Sequence, residues 1–537
     1  MNKTEKPEEV RCWEQRVSFP TYPVQPADPN PMFLEKRVYQ GSSGKVYPNP
    51  FTDRVSLDKV EQSHRAILLE NEFIQLMILP EIGGRIHAGL DKTNQYNFFY
   101  RQNVIKPALV GLLGPWISGG VEFNWPQHHR PSTYMPVHAS IEEHADGSRT
   151  VWLSEHDPMA RMKGMVGISL APGKAIVEAK VRLFNRTPLP QTFLWWANVA
   201  VHAHDRYQAF FPPDVSFVAD HARRAVSSFP LARGTYYGVD YSPATDIRWY
   251  KNIPVPTSYM VTESKYDFLG GYDHSREAGL VQTCDRHIAP GKKLWTWGNA
   301  EFGYAWDRNL TDSDGPYLEL MTGIFTDNQP DFSWLQPYET RIFSQYWYPI
   351  QKIGPAKNAN SEAAINLEFD AGTARIGVCV TSRRAVRVTL SRNGQILFEE
   401  RAELMPGEPL IRVIPCAGSA QTDYRLSVSD SEGRELIAHQ PEERRDGLPP
   451  ALATEPLPPA EVESADELYI TGLHLEQYRH ATRSPDIYWR EGLRRDPGDA
   501  RMNNAMGLLH LRRGMFAEAE EHFLRTVQRL TLRNANP

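Results

Sequence analysis

Between residues 60 and 350, short apolar runs repeat with a side-chain period of two, and turn-forming residues cut them every few positions. No other feature of the 537-residue chain restricts its fold as much. Ala66–Pro80 (AILLENEFIQLMILP) holds two β-branched, apolar stretches split at Glu70-Asn71. Lys174–Phe184 (KAIVEAKVRLF) alternates apolar with polar, as a strand with one face in a core must. Asp146-Gly147, Pro172-Gly173, Asn185-Arg186-Thr187-Pro188 and Pro290-Gly291 mark turns between such runs. No amphipathic helix is legible before residue 460. A region of this size exceeds an immunoglobulin-like domain and predicts a large double-sheet sandwich.

The pattern then divides the rest of the chain. Residues 1–60 are expected to form a lead segment packing on the sandwich of 61–350, and 351–363 (QKIGPAKNANSEA) a linker. Alternation resumes over 364–440, with a hairpin turn at Asn393-Gly394, and predicts a small β-sandwich. The Pro-rich stretch 441–460 cannot hold a regular ladder and reads as a second linker. Over 461–537 the period becomes 3.6, and two amphipathic segments within 499–530 face each other across Arg513-Gly514. There Gly507, Gly514, Ala519 and Phe523 resemble the small, turn, small and aromatic positions of a tetratricopeptide repeat, with Pro497 where a preceding repeat ends. One repeat cannot bury its own apolar face. The expectation is therefore a truncated array, engaging a protein partner or a second copy through this segment.

Charge and cysteines exclude several classes. The net charge is −6 with acidic and basic residues interspersed, so no basic stripe awaits a nucleic acid. Cys12, Cys284, Cys379 and Cys416 lie far apart without CxxC spacing, which predicts neither a metal cluster nor a disulfide framework. The first residues lack the apolar core of a signal peptide, and no run of eighteen apolar residues occurs, so the expectation is a cytoplasmic protein with no membrane partner. No cofactor is implied. Most of the 13 Trp precede residue 350. Aromatic faces suit the C–H faces of sugar rings, although a large sandwich also uses them as core.

Four clusters carry candidate chemistry. In Pro80–Leu90, Gly83-Gly84 permits a tight turn and Arg85 follows it. In Gly119–Pro136 (GGVEFNWPQHHRPSTYMP), Glu122, Asn124, Trp125, His128, His129 and Arg130 crowd a Pro-broken, irregular segment. Adjacent histidines do not easily face one metal. In Trp195–Asp214, which includes Trp196, His202 and His204 are i,i+2 and share one face of a strand beside Asp205; each also fits a hydrogen-bonded core histidine. In Tyr317–Tyr348, Glu319 is a lone acid inside an apolar strand, costly unless paired or kept for proton transfer.

The order of these clusters resembles the aldose epimerases of the galactose-mutarotase superfamily. The matching residues are Gly83-Gly84-Arg85-Ile86, then His128/His129, Asn185-Arg186-Thr187-Pro188 before His202/His204, Leu318-Glu319, and Leu335-Gln336-Pro337-Tyr338-Glu339. The whole chain looks like a bacterial family that fuses such a sandwich to tetratricopeptide repeats. The resemblance implies a mono- or oligosaccharide ligand, Glu319 as the base at the anomeric hydroxyl, and His204 or His202 as the acid at the ring oxygen. Arg85 and His128 or His129 would hold hydroxyls, with Asn124, Trp125, Arg130, Trp196 and Asp205 as further binding residues. Two departures are the paired histidines and the additional acid Glu122. The latter raises the alternative of a Glu122/Glu319 pair acting on a glycosidic bond. A non-catalytic sugar-binding module on a repeat scaffold is the reading from another class.

Overall fold

A computed structural model describes residues 9–28, 48–324, 332–416, 420–443, 447–478 and 483–536. Parts of the expected lead segment (1–8 and 29–47), of the fourth cluster (325–331), of the Pro-rich stretch and of the helical segment lie outside the described residues.

The chain is mainly β, as its period-two runs predict. One sheet of twelve strands carries, in spatial order, β1 (Arg11–Thr21), β2 (Val60–Glu70), β3 (Ile74–Leu79), β4 (Arg85–Asp91), β5 (Val121–Asn124), β6 (Trp195–His202), β11 (Tyr317–Ile324), β10 (Gly291–Thr296), β9 (Thr257–Val261), β7 (Phe217–Ala219) and β8 (Val226–Ser228). The short strand Tyr96–Asn97 pairs beside β4. An eight-stranded sheet packs over it, running from Tyr207–Phe210 through Thr340–Gln351 to His138–Glu143. Between the sheets lies a core that includes Ile86, Val121, Phe123, Trp195, Val199, Leu294, Leu318 and Trp347. The ladders are antiparallel, so every second residue of the large sheet faces this core and the others face away. That alternation decides which side chains can share a site.

Two four-stranded sheets spanning Asn358–His439 form the small sandwich around Ile365, Ile376, Val388, Leu390 and Leu426. The stretch 351–363 is not a loose tether. Asn358–Ala359 pairs as a strand, and Ala356 and Ala359 are buried with Phe268 and Tyr348 of the eight-stranded sheet. Its small residues are there because two sheets meet over them.

Five α-helices occur in the described residues. α1 (Glu301–Leu310) interrupts the first sandwich, where the sequence reading has only strands. At ten residues with a Gly and two Trp/Tyr, it is too short to show a helical stripe above the strand pattern around it. The others, α2 (Ala465–Tyr478), α3 (Asp486–Arg495), α4 (Ala500–Arg512) and α5 (Phe516–Thr531), make the C-terminal segment. Gly507 of α4 lies against the Phe523 ring of α5, the close approach its missing side chain allows.

Candidate active site

The outward side of the large sheet gathers several of the candidate residues. Arg85 and His87 (β4), Glu122 and Asn124 (β5), Trp196, Asn198 and Ala200 (β6), Tyr317 and Glu319 (β11), Lys293 and Trp295 (β10) and Ser258 (β9) occupy the positions that alternate with core residues. The ladder register sets Ala200 and Trp295 on either side of Glu319, and Asn198 opposite Glu122. A small residue at 200 leaves room above the sheet beside the carboxylate.

The second cluster folds over this face. Asn124 Oδ1 accepts from the backbone N–H of Arg130 at 2.7 Å, and Gly83 N–H donates to Met135 O at 2.9 Å. Gly83 has φ +65°, and a Cβ there would meet Thr133 O at 2.2 Å. The Gly-Gly-Arg-Ile turn thus serves as the seat of the histidine loop. The rings of His128 and His129 lie 4.2 Å apart at 36°, so these adjacent residues do turn to the same region.

Glu122 is the anchor of this loop. Its carboxylate accepts from Trp116 Nε1 (3.1 Å), Thr133 Oγ1 (2.6 Å), Asn124 Nδ2 (3.2 Å) and His129 Nδ1 (3.0 Å). Burial alone would raise its pKa. The charge and hydrogen bond of His129, with Arg85 and Thr133, outweigh that and hold it well below the usual carboxylate range. An anionic Glu122 orients the His129 ring through Nδ1. Arg85 is buried; its guanidinium donates to Ile117 O at 2.6 Å and carries positive charge toward both Glu122 and Glu319.

Glu319 behaves differently. It is 6% exposed and accepts a hydrogen bond from Tyr317 OH at 3.1 Å. Burial raises its pKa to about 7; His129 and Lys293 act against the rise, and Glu122 adds to it. Lys293, 2% exposed, has its ammonium 5.0 Å above the Trp196 ring, and burial lowers it to about 7 against the pull of Glu319. Burial acts on both groups, and the charge of each favours the charged form of the other. His128 is pushed well below the ordinary imidazole range by burial, then by His129 and Lys293.

The third cluster divides. Trp196 belongs to the face just described. His202 stands exposed at the rim, edge-on to Tyr100 at 4.9 Å, and Tyr100 stacks on Tyr317. Two aromatic rings separate it from Glu319. His204 points to the other sheet, its Nε2 3.2 Å from Asp273 and its ring beside Tyr207, and Asp205 is exposed. β6 ends at His202, so the i,i+2 alternation that places His204 on the site's face stops before it reaches that residue. Trp125 is packed into the core on the opposite side, against Gly164. Arg130 turns back to Glu155 (3.4 Å) and Gly83 O, lining a separate cleft of about 660 Å³ with Trp125, Ser132 and His156.

Sequence reasoning passed over Lys293, Asn198, Tyr317 and His221. The signal for Lys293 was present: on a strand the alternation puts it on the same face as Trp295. Asn198 is 4% exposed, and among the described residues neither its amide oxygen nor its nitrogen has a hydrogen-bond partner. His221, carried on an excursion between strands, meets Ser258 Oγ at 3.0 Å, and Tyr237 OH meets the same hydroxyl at 2.9 Å. Among the described residues no three His, Cys, Asp or Glu side chains are grouped as metal ligands, and no helix is long and apolar enough to cross a membrane.

Fold and face together define a β-sandwich protein with buried ionisable side chains on the outward face of its large sheet. The chain belongs to the family described as "Domain of unknown function (DUF5107)", whose model matches residues 42–350. Residues 358–439 match the model described as "YphG-like protein, second domain". Among solved structures, a TPR-domain containing protein from Parabacteroides distasonis is similar over 97% of this chain and 80% of its own, at 18% identity and a TM-score of 0.57. A putative aldose 1-epimerase from Klebsiella pneumoniae covers 54% of this chain and 80% of its own at 10% identity, TM-score 0.39. A galactose mutarotase-like protein from Clostridium acetobutylicum covers 54% and 96% at 10% identity, TM-score 0.38.

Proposed function

We propose that this protein acts on a saccharide at its anomeric carbon by acid–base catalysis, with Glu319 as the proton-accepting group. The observation that carries the reading is a carboxyl buried on the sheet face, raised to about 7 and surrounded by Tyr317, Lys293 and His129. A carboxyl with that pKa exchanges protons at neutral pH, which an ordinary glutamate does poorly. In ring opening, Glu319 takes the proton of the anomeric hydroxyl. The bond from the anomeric carbon to the ring oxygen breaks, and that oxygen receives a proton from His129 Nε2, with the imidazole oriented through Nδ1 by Glu122. Reversal on the other face of the aldehyde inverts the anomer. Arg85 and the amide of Asn198 are placed to hold hydroxyls. His204, separated from Glu319, is no longer the candidate acid.

The two-carboxylate route to a glycosidic bond is less well supported. Glu122 already accepts four hydrogen bonds and is held ionised, so it has no proton to give a leaving group. The test is anomer interconversion of common aldoses followed by polarimetry and NMR, beside release of sugar from aryl glycosides. Interconversion by the native chain and its loss in Glu319→Gln support the reading. Activity untouched by Glu319→Gln, or binding with no turnover in either assay, sinks it.

A further inference from the structure

Aromatic side chains run from Glu319 out to solvent. Trp295, half-buried, stands directly across the ladder from Glu319. Its ring meets Trp297 edge-on with centroids 4.5 Å apart, and Trp297 stacks on Trp306 of α1 at 4.2 Å and 12°. One helical turn before Trp306, on the same side of α1, Phe302 is 56% exposed. The three indoles are half-buried, and Phe302 is the exposed member of the group. The stripe is also tied to the carboxyl by polar contacts: Trp297 Nε1 donates to Tyr317 OH at 3.2 Å, and Tyr317 OH donates to Glu319 Oε1.

Helix α1 does not need Phe302 to stay on the sheet, because Gly303 and Leu310 are the residues it buries. An exposed phenylalanine one helical turn from a half-buried indole is apolar surface kept open to water. Sugar rings suit such a surface, since their C–H faces lie on aromatic planes while their hydroxyls stay solvated. A ring seated at Glu319 has Trp295 beside it, and Trp306 lies two aromatic contacts further on.

Resting on the reading above, we propose that the Trp295–Trp297–Trp306–Phe302 stripe holds the following residues of a glycan chain whose end sits at Glu319, so that the ligand is an oligosaccharide and not a free monosaccharide. The experiment is calorimetric titration of the full chain with glucose, galactose and mannose and with their α-1,4 and β-1,4 oligomers of two to four residues. In the series that binds, affinity should rise about tenfold or more from monosaccharide to tetrasaccharide. Phe302→Ala and Trp306→Ala should collapse that ratio toward one. Phe302 is exposed, so its variant reports binding even if the Trp306 variant folds poorly. An affinity that does not change with chain length, or a ratio that survives both substitutions, overturns the inference and leaves the sugar site standing. No binding by any saccharide of any length overturns the sugar site itself, and the stripe's role with it.

Discussion

Glu319 and Glu122 lie on one sheet face two strands apart, about 10 Å at the backbone, yet their surroundings push them in opposite directions. Glu122 has donors for its lone pairs; Glu319 has one hydroxyl and a buried amine. Two predictions belong to these residues. Between pH 4.5 and about 7 folded Glu319 keeps a proton that the unfolded chain has released, so its burial makes stability fall as pH rises through that window. Glu319→Gln should therefore be more stable than the native chain at pH 8, by about 1–3 kcal/mol in urea unfolding, and no more stable at pH 4. Turnover, which needs the ionised carboxylate, should decline as pH drops below about 7. A Glu319→Gln variant that loses stability at pH 8 would show that the carboxylate is held as a structural ion. Glu122→Gln should do the reverse, costing about 2–4 kcal/mol because an amide N–H replaces an acceptor facing two donors. It should also abolish turnover, measured beside the unfolding midpoint.

At the scale of elements, the site depends on how closely β4, β5 and β6 approach. Gly120 N–H donates to Tyr100 O, Tyr100 N–H to Ala200 O and Ala200 N–H to Gly120 O, each at 2.8 Å, directly beneath the position of Glu319's neighbour Ala200. Gly120 has φ +60°, and a Cβ there would lie 1.9 Å from Ile86 O. Gly394, in the hairpin of the small sandwich, also has positive φ but nothing within 4 Å of a Cβ. Gly394→Ala should cost about 1 kcal/mol from backbone conformation alone, and Gly120→Ala about 3 kcal/mol or more because backbone must also move. Equal costs, read from chemical unfolding, would mean that the closeness of β4 and β5 is not what needs glycine. This level also separates what was legible from what was not. Strands could be read because each runs long enough for a period of two to repeat, and Glu319 stood out as an acid within one, while Arg85 and Glu122 were read from a Gly-Gly turn and a Pro-broken segment. The partnership of Glu319 with His129 and Lys293 could not. It depends on which strands neighbour β11, and sheet order joins residues far apart in sequence. His204 misled for a related reason: alternation holds only while the strand lasts, and β6 stops two residues short.

The whole molecule is less modular than its composition reads. Phe268, Tyr272 and Val281 of the eight-stranded sheet share one apolar cluster with Ile353, Ala356, Ala359, Ala364 and Cys379. Across the same seam Ala175 N–H donates to Thr381 O at 2.7 Å, and Tyr348 OH donates to Ala363 O at 3.0 Å. The C-terminal helices, by contrast, pack around a cluster drawn only from residues 462–509. The Pro-rich stretch before them is tied to the sandwich by Ala453 N–H donating to Arg223 O at 2.8 Å. Elements that share a core unfold together, and elements with separate cores need not. Calorimetry of the full chain should therefore resolve two transitions, one for both sandwiches and one for the helices. Phe268→Ala, which opens the shared cluster, should lower the whole sandwich transition by about 3–5 kcal/mol of stability while leaving the helical one in place. A chain ended at residue 350 should expose Phe268, Tyr348 and Ile350 and aggregate, whereas one ended at 440 should stay soluble with the site intact. Separate melting of the two sandwiches, or a well-behaved chain ended at 350, would show that the seam adds no stability and that the large sandwich carries its site alone.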